Sequence, residues 1–283
     1  MIRDEDLKKV TDYSSGQKDA AYSVLGEITN LLDQYSDSIR IIGGWVPSLL
    51  YPDRDHIGSI DVDVLLNQVK IHKAESYENI RRVLMSNGYK KHPEKFFSFI
   101  KTIRIDGVDY DVDVDFLSGK YGGDGENVSK HVDGVKALPA TGGNFAFEFP
   151  SENVKIEYQR SDGALDFGNV QVISIVPYLV MKSAALGRGK PKDAYDIYCS
   201  INYYPGGIKE LAKEFIPFSD RDLIKEMCQK LIDKFHSPEH AGPVDITSFL
   251  EIDDEDEIQR VRQDAYQKIK YLTEQIKSAT PEM

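Results

Sequence analysis

The chain has 283 residues, 41% of them hydrophobic and 29% charged, a composition ordinary for a globular protein with one or two cores. Its formal net charge of −12 argues against a protein whose whole surface clamps nucleic acid, because that requires clustered Lys and Arg, although local basic patches remain compatible with it. The sequence contains no run of about 18 apolar residues, and the charged start Met1–Asp6 lacks the apolar segment of a signal peptide. Cys199 and Cys228 do not make a disulfide framework, so we expect a cytoplasmic protein.

The N-terminal part predicts a helix followed by a short strand that ends at two glycines. Ser14 is a good N-cap, and apolar residues recur at helical spacing as far as Tyr35. The β-branched run at 39–42 then predicts a strand that ends at Gly43 and Gly44. Glycine lets a ligand approach the backbone closely, so the pair offers N–H groups to an anionic phosphate, although most such pairs are only tight turns.

A second strand carries the first pair of acids. After a short helix predicted at 45–50, the run 59–66 alternates so that Asp61 and Asp63 share one face of a strand. Two neighbouring carboxylates on a buried strand repel each other and resist desolvation unless a cation lies between them. The alternative is a solvated strand end with no ligand.

A hairpin carries the remaining acids. Asp106-Gly107 predicts a two-residue turn between a strand at 96–105 and a return strand at 108–117. Four aspartates of the return strand share one face: Asp109, Asp111, Asp113 and Asp115. The first two lie near the turn and are expected to be solvated, whereas the last two lie deeper. Spacing alone leaves open whether Asp113 or Asp115 joins Asp61 and Asp63.

The rest of the chain predicts a loop, short strands and then helices. The segment 119–143 predicts a long loop, and short strands follow at 145–149, 154–158 and 170–175. The part from 208 onward predicts a helical tail, with a stop around Pro238 and Pro243 and a connector at 245–250.

A lysine-rich segment lies between these parts. Lys182 lies on a predicted helix, and the segment after it contains Arg188, Lys190 and Lys192. Lys192 and Asp196 have the spacing of a helical ion pair. A phosphate or an RNA backbone could meet this basic segment, but a solvated loop between helices explains its composition equally well.

Taken together, these motifs resemble the polymerase-β-like nucleotidyltransferase superfamily, over roughly residues 39–198. The resemblance rests on a strand, Gly43-Gly44, a short helix, Asp61-x-Asp63 on the next strand, and an acidic third strand. Lys182 followed by Lys192-Asp193-Ala194-Tyr195-Asp196 is similar to the AbiEii-type toxins of bacterial abortive-infection and toxin–antitoxin systems.

The resemblance implies a fold and a set of site residues. The fold is α+β, with a nucleotidyltransferase domain at 1–200 that has a small twisted mixed sheet flanked by helices, and a C-terminal helical bundle at 201–283. Mg²⁺, with Mn²⁺ as the alternative, is the implied cofactor, and carboxylates are its natural ligands. The implied site residues are Asp61, Asp63 and Asp113 as metal ligands, Asp113 or Asp115 as the third catalytic acid, Lys182 and Asp193 as further catalytic residues, and Gly43, Gly44, Lys182 and Lys192 as nucleotide-binding residues.

The implied reaction is transfer of an NMP from an NTP to an acceptor. The acceptor is RNA, tRNA or a protein, the biological role is that of a toxin or phage-defence effector, and a cognate antitoxin is a possible protein partner. Two alternatives stay open: a catalytically silent nucleotide-binding module, and an enzyme that modifies a small molecule of the aminoglycoside kind, whose positive charge would suit an acidic surface.

Overall fold

A computed structural model describes residues 7–67, 70–71, 74–119 and 135–280, and at 74–78 it describes only the backbone. Most of the predicted loop at 119–143 lies outside these residues. The helices are α1 (Ser15–Leu31), α2 (Val46–Leu50), α3 (Ala74–Ser86), α4 (Ile175–Ala185), α5 (Pro191–Asn202), α6 (Ile208–Phe215), α7 (Asp222–Lys234), α8 (Ala241–Phe249) and α9 (Glu255–Ala279). The strands are β1 (Ile39–Ile42), β2 (Val62–Leu66), β3 (Lys90–Lys91), β4 (Ser98–Ile105), β5 (Val108–Gly119), β6 (Leu138–Ala140), β7 (Glu152–Gln159) and β8 (Leu165–Val172).

The described strands form one mixed sheet. Their order is β3-β4-β5-β2-β1-β8-β7, and β6 pairs with the end of β5. β2 runs parallel to β5 and antiparallel to β1, which in turn runs parallel to β8. The predicted α+β fold, a mixed sheet flanked by helices and followed by C-terminal helices, is confirmed.

The β4–β5 hairpin forms at the predicted turn. Asp106 and Gly107 have φ values of 50° and 82°, so both central residues are left-handed, as a type I′ turn requires. β4 and β5 pair in register from Ile105 opposite Val108 to Ser98 opposite Asp115. This register fixes how far each aspartate of β5 lies from the turn.

Two predictions about local structure are wrong. The segment predicted as a strand at 145–149 is a 3₁₀ helix, Phe145–Glu148, whose Phe145 and Ala146 are buried. The segment predicted as a connector at 245–250 belongs largely to α8, which begins at Ala241 and holds Pro243 in its first turn. Proline is compatible with a first helical turn because its missing N–H would have no partner there, so it did not mark a break.

The chain divides into two compact units. The first comprises the described residues within 13–50 and 57–177 and contains the sheet. The second comprises the described residues within 7–12, 51–56 and 178–280, and in it α9 packs against α6, α7 and α8. The predicted domain boundary after residue 200 stays a prediction. In the described part of the chain, no helix combines the length and the apolarity that crossing a membrane requires.

Helix α1 packs across β4, β5, β7 and β8 of the first unit. It begins as predicted, with the Ser14 hydroxyl accepting a hydrogen bond from the Gln17 N–H at 3.2 Å, but it ends at Leu31 rather than at Tyr35. A Cβ at Gly26 would overlap the ring of Tyr158 on β7. The helix therefore approaches the sheet at a distance that only glycine permits at this position.

Gly26→Ala should lower the free energy of unfolding by about 1–3 kcal/mol, because the added methyl group must displace the buried Tyr158 ring. Chemical denaturation measures this change. Asp19→Ala, at an exposed position of the same helix, is the control and should change stability by no more than about 0.5 kcal/mol. A Gly26→Ala protein as stable as wild type would show that this approach is not tight.

Candidate functional site

Four aspartates of the first unit form a row on one face of β2 and β5, which we call the acid row: Asp61, Asp63, Asp113 and Asp115. β2 and β5 are parallel neighbours, and Asp63 lies opposite Asp115 while Val62 lies opposite Val114. Asp61 directly precedes β2 and shares the face of Asp63 by alternation. Both valines are fully buried on the other face. The structure thus brings together the four acids that the sequence predicted.

The position of Gly43 places its backbone against the acid row. Ile42, the last residue of β1, is paired with Asp63, and Gly43 follows it with φ of 76°. A Cβ at Gly43 would overlap the Asp63 carboxylate, so any side chain here would both strain the backbone and displace that acid. Gly44 is buried in the short 3₁₀ helix Gly43–Trp45 that leads into α2.

Trp45 and Ser59 hold Asp61 in place. The indole N–H of Trp45 donates to the Asp61 carbonyl oxygen at 2.8 Å, and the Ser59 hydroxyl donates to Asp61 Oδ1 at 2.5 Å. Gly58, with φ of 78°, leaves space for the indole ring, which a Cβ would approach to 2.6 Å. Asp61 is therefore oriented through both its backbone and its carboxylate.

Lys95 and His92 also belong to this site, and sequence reasoning missed both because no motif marks them. Lys95 Nζ lies 2.7 Å from Asp113 Oδ2 and 4.0 Å from Asp115 Oδ2. His92 Nδ1 accepts hydrogen bonds from the N–H groups of Glu94 and Lys95, at 3.0 and 2.9 Å. His92 Nε2 lies 3.9 Å from Asp113 Oδ2. The turn between β3 and β4 thus carries a cation to the acid row, which spacing along the chain could not show.

Burial and mutual repulsion dominate the electrostatics of the acid row. Burial, and then the charges of Asp61 and Asp113, raise the pKa of Asp115 to about 6, although a hydrogen bond from Ser98 and the charge of Lys95 oppose the shift. Burial disfavours the charged form of Lys95, but its hydrogen bond to Asp113 and the surrounding carboxylates outweigh this, so its pKa is raised. Asp115 Oδ1 is buried without a hydrogen-bond partner among the described residues.

The donor chemistry of the acid row suits a hard divalent cation. Carboxylate oxygens are the ligands that Mg²⁺ prefers, and the unpartnered Asp115 Oδ1 is an acceptor that a cation or a donor would satisfy. Within the described part of the chain, however, no group of three or more His, Cys, Asp or Glu side chains is arranged to hold a metal ion. We therefore take the residue types as fitting the implied ion and assign no coordination geometry.

The second unit contains a buried group that we call the lysine–aspartate cluster: His56, Lys182, Lys192, Asp193 and Asp196. Lys182 Nζ lies 2.7 Å from Asp193 Oδ1 and 2.8 Å from Asp196 Oδ2. Lys192 Nζ lies 2.9 Å from Asp196 Oδ1, so the predicted helical pair is present. His56 Nε2 lies 2.9 Å from the same oxygen.

Opposite charges set the protonation of this cluster. Burial alone would raise the pKa of Asp196, but the charges of Lys182 and Lys192 and the His56 hydrogen bond lower it below its ordinary value. Burial would lower the pKa of Lys182, yet the charges of Asp193 and Asp196 raise it well above its ordinary value. Burial lowers the pKa of His56, so at neutral pH it is uncharged and its contact with Asp196 is a hydrogen bond.

The basic segment around this cluster is divided between the interior and the solvent. The Lys192 side chain is only 9% exposed, whereas that of Arg188, 3.3 Å from Asp193 Oδ2, is 58% exposed. Two positive charges that lie close together in the sequence are therefore in different surroundings, Lys192 in the interior and Arg188 at the surface. The roles predicted for Lys182, Lys192 and Asp193 stay predictions.

Comparison with known proteins adds little evidence about the function of this chain. No known family model matches the chain, and no curated protein matches it. Among solved structures, it is similar to the STING-associated CdnE c-di-GMP synthase from Capnocytophaga granulosa, with 11% identity and a TM-score of 0.27. The match covers 94% of this chain and 83% of that one. At this TM-score the likeness supports no conclusion about function.

Asp115→Asn should stabilise the metal-free protein by about 2 kcal/mol at pH 8, because it removes a carboxylate whose pKa is raised to about 6. The gain should shrink as the pH falls from 6 to 4, since the folded wild type then takes up the proton more readily than the unfolded chain. Denaturant titrations with chelator at several pH values measure it. The control is Asp109→Asn, whose parent side chain is 62% exposed on the same strand and which should have little effect. An Asp115→Asn protein less stable than wild type at pH 8 would contradict the prediction.

Asp196→Ala should lower the free energy of unfolding at pH 7 by about 3–5 kcal/mol, because it leaves two buried ammonium groups without their shared carboxylate. The folded pKa of Asp196 is depressed, so the wild type should keep this contribution above about pH 4 and lose it only at lower pH. Arg188→Ala is the matched control and should cost at most about 1 kcal/mol, because that side chain is largely exposed. Equal losses in the two variants would show that burial does not determine the strength of these pairs.

Proposed function

We propose that this protein is a metal-dependent nucleotidyltransferase that transfers an NMP from an NTP to an acceptor hydroxyl. The observation that carries the proposal is the acid row, in which Asp63 of β2 lies opposite Asp115 of β5 while Gly43 follows the strand on the other side of β2. Aligned carboxylates beside a glycine backbone suit a divalent ion and a phosphate together.

The proposal gives a role to the acids and glycines of the site. Asp61 and Asp63 would hold the metal ion, and the backbone N–H groups of Gly43 and Gly44 would bind the phosphates. When bound, Mg²⁺ or Mn²⁺ supplies positive charge that neutralises the triphosphate oxygens. The glycine position supports this assignment, because a side chain at Gly43 would displace Asp63.

Of the two acids that the sequence left open, we assign Asp115 as the third catalytic acid. Asp113 is already held by Lys95 at 2.7 Å, whereas Asp115 Oδ1 is buried with no hydrogen-bond partner in the described part of the chain. A carboxyl group whose pKa is raised to about 6 is a suitable base near neutral pH. Asp115 would therefore accept the proton of the acceptor hydroxyl at Oδ1.

The finer assignment follows the sequence resemblance. We propose an AbiEii-type effector of a toxin or phage-defence system, with RNA, tRNA or a protein as acceptor and an antitoxin as protein partner. In this proposal Asp193 orients Lys182. The 2.7 Å contact between Lys182 Nζ and Asp193 Oδ1 supports the orienting role.

The purified protein, incubated with Mg²⁺, total RNA or total protein and each labelled NTP in turn, should transfer label to one acceptor class. The activity of the Asp61→Ala/Asp63→Ala variant should be at least about a hundredfold lower, because the variant lacks the two carboxylates proposed to hold the metal ion. Asp109→Ala, on the same face of β5 but exposed, is the matched control and should keep activity near that of wild type.

Two results would contradict the proposal. One is the absence of label transfer with every NTP and both acceptor classes, and the other is undiminished transfer by the double variant. Tight NTP binding that needs no divalent ion and leads to no turnover, measured by calorimetry, would instead indicate a silent nucleotide-binding module.

A further inference from the structure

Lys95 brings a cation of the protein itself to the acid row. Its ammonium group lies 2.7 Å from Asp113 Oδ2 and 4.0 Å from Asp115 Oδ2. The charge of Asp61 also stabilises the protonated form and contributes to the raised pKa of Lys95. One ammonium group thus interacts with three of the four carboxylates in the row.

The turn that carries Lys95 is held by several contacts. His92, whose side chain is only 5% exposed, accepts hydrogen bonds from the N–H groups of Glu94 and Lys95. At the other end of the turn, the hydrogen bond from the Ser98 N–H to the Lys95 carbonyl oxygen, at 3.2 Å, closes the chain back onto β4. Because the backbone of Lys95 is fixed on both sides, its ammonium group is held at Asp113 by the fold as well as by charge.

A fixed ammonium group changes how many metal ions the row can hold. A divalent ion on Asp113 and Asp115 would lie within a few ångströms of the Lys95 charge, and repulsion at that range is strong in a partly buried site. Asp63 lies on the other strand of the pair, and Asp61 directly precedes that strand. One divalent ion at these two acids and one ammonium group at Asp113 would together neutralise most of the row.

We propose that the Lys95 ammonium group holds the place of a second divalent cation, so that the acid row binds a single divalent ion. This inference rests on the proposed function, since it concerns the metal site of that reaction. Lys95 is a positioning residue here, because it acts through Asp113 and the metal site rather than by touching substrate. It supplies a positive charge that does not depend on the concentration of metal in the surroundings.

Counting bound Mn²⁺ tests the inference without any measurement of activity. Calorimetry and the electron paramagnetic resonance of free Mn²⁺ would be applied to the wild type and to Lys95→Met. The ions lost in Asp61→Ala/Asp63→Ala or in Asp113→Ala/Asp115→Ala define those bound by the row. We expect one such ion in the wild type and two in Lys95→Met, or a single ion bound about tenfold more tightly or better in that variant. Lys95→Arg keeps the charge and should match the wild type. Lys90→Met, which removes an exposed lysine from neighbouring β3, should do the same.

The outcomes separate this inference from the proposed function. Two ions in the wild type, or a Lys95→Met protein with unchanged count and affinity, would overturn the inference. If Lys95→Met does not fold, as judged by circular dichroism, Lys95→Gln is the second neutral variant, and the wild-type count alone can still contradict the proposal. A protein that shows the expected counts but transfers no label would count against the proposed function and leave the role of Lys95 standing.

Discussion

Repulsion among the four carboxylates of the acid row is the constraint on which the rest of the first unit depends. Parallel pairing of β2 with β5 places Asp63 and Asp115 side by side at the spacing of neighbouring strands, where like charges destabilise a sheet. The surrounding residues offset this cost in different ways. Ser59 and Lys95 donate hydrogen bonds to Asp61 and Asp113. At Asp115 burial adds to the cost, and together with the neighbouring charges it favours the protonated form.

In the lysine–aspartate cluster, buried carboxylates are compensated in a different way. There the acids are fully or nearly buried, and each is matched by ammonium groups on the same helix or on the preceding one. Such a group contributes little net stability, but loss of one member leaves the others uncompensated. The acid row differs because one carboxylate oxygen, Asp115 Oδ1, has no partner among the described residues. This unpartnered oxygen makes the acid row, and not the cluster, the candidate functional site.

Much of the fold and part of the site could be predicted from the sequence, and the reasons differ from residue to residue. The Asp106-Gly107 turn and the alternation on β5 are local signals, and the structure confirms both. The registers that bring Asp115 opposite Asp63 and Lys95 onto Asp113 depend on strands distant in sequence, so spacing could not choose between Asp113 and Asp115. The helix break predicted at Pro243 is wrong for a physical reason, since a proline in a first helical turn cannot be told from one that ends a helix by sequence alone.

The contact between Trp45 and Asp61 has a practical consequence. Trp45 is the single tryptophan of the chain, and its indole N–H is bonded to the Asp61 carbonyl oxygen while its ring lies 5.4 Å from that of Tyr22. The tryptophan fluorescence of the protein therefore originates within one hydrogen bond of the acid row. A ligand that shifts the backbone at Asp61 will change the emission of this indole, so binding can be followed optically in the unlabelled native protein.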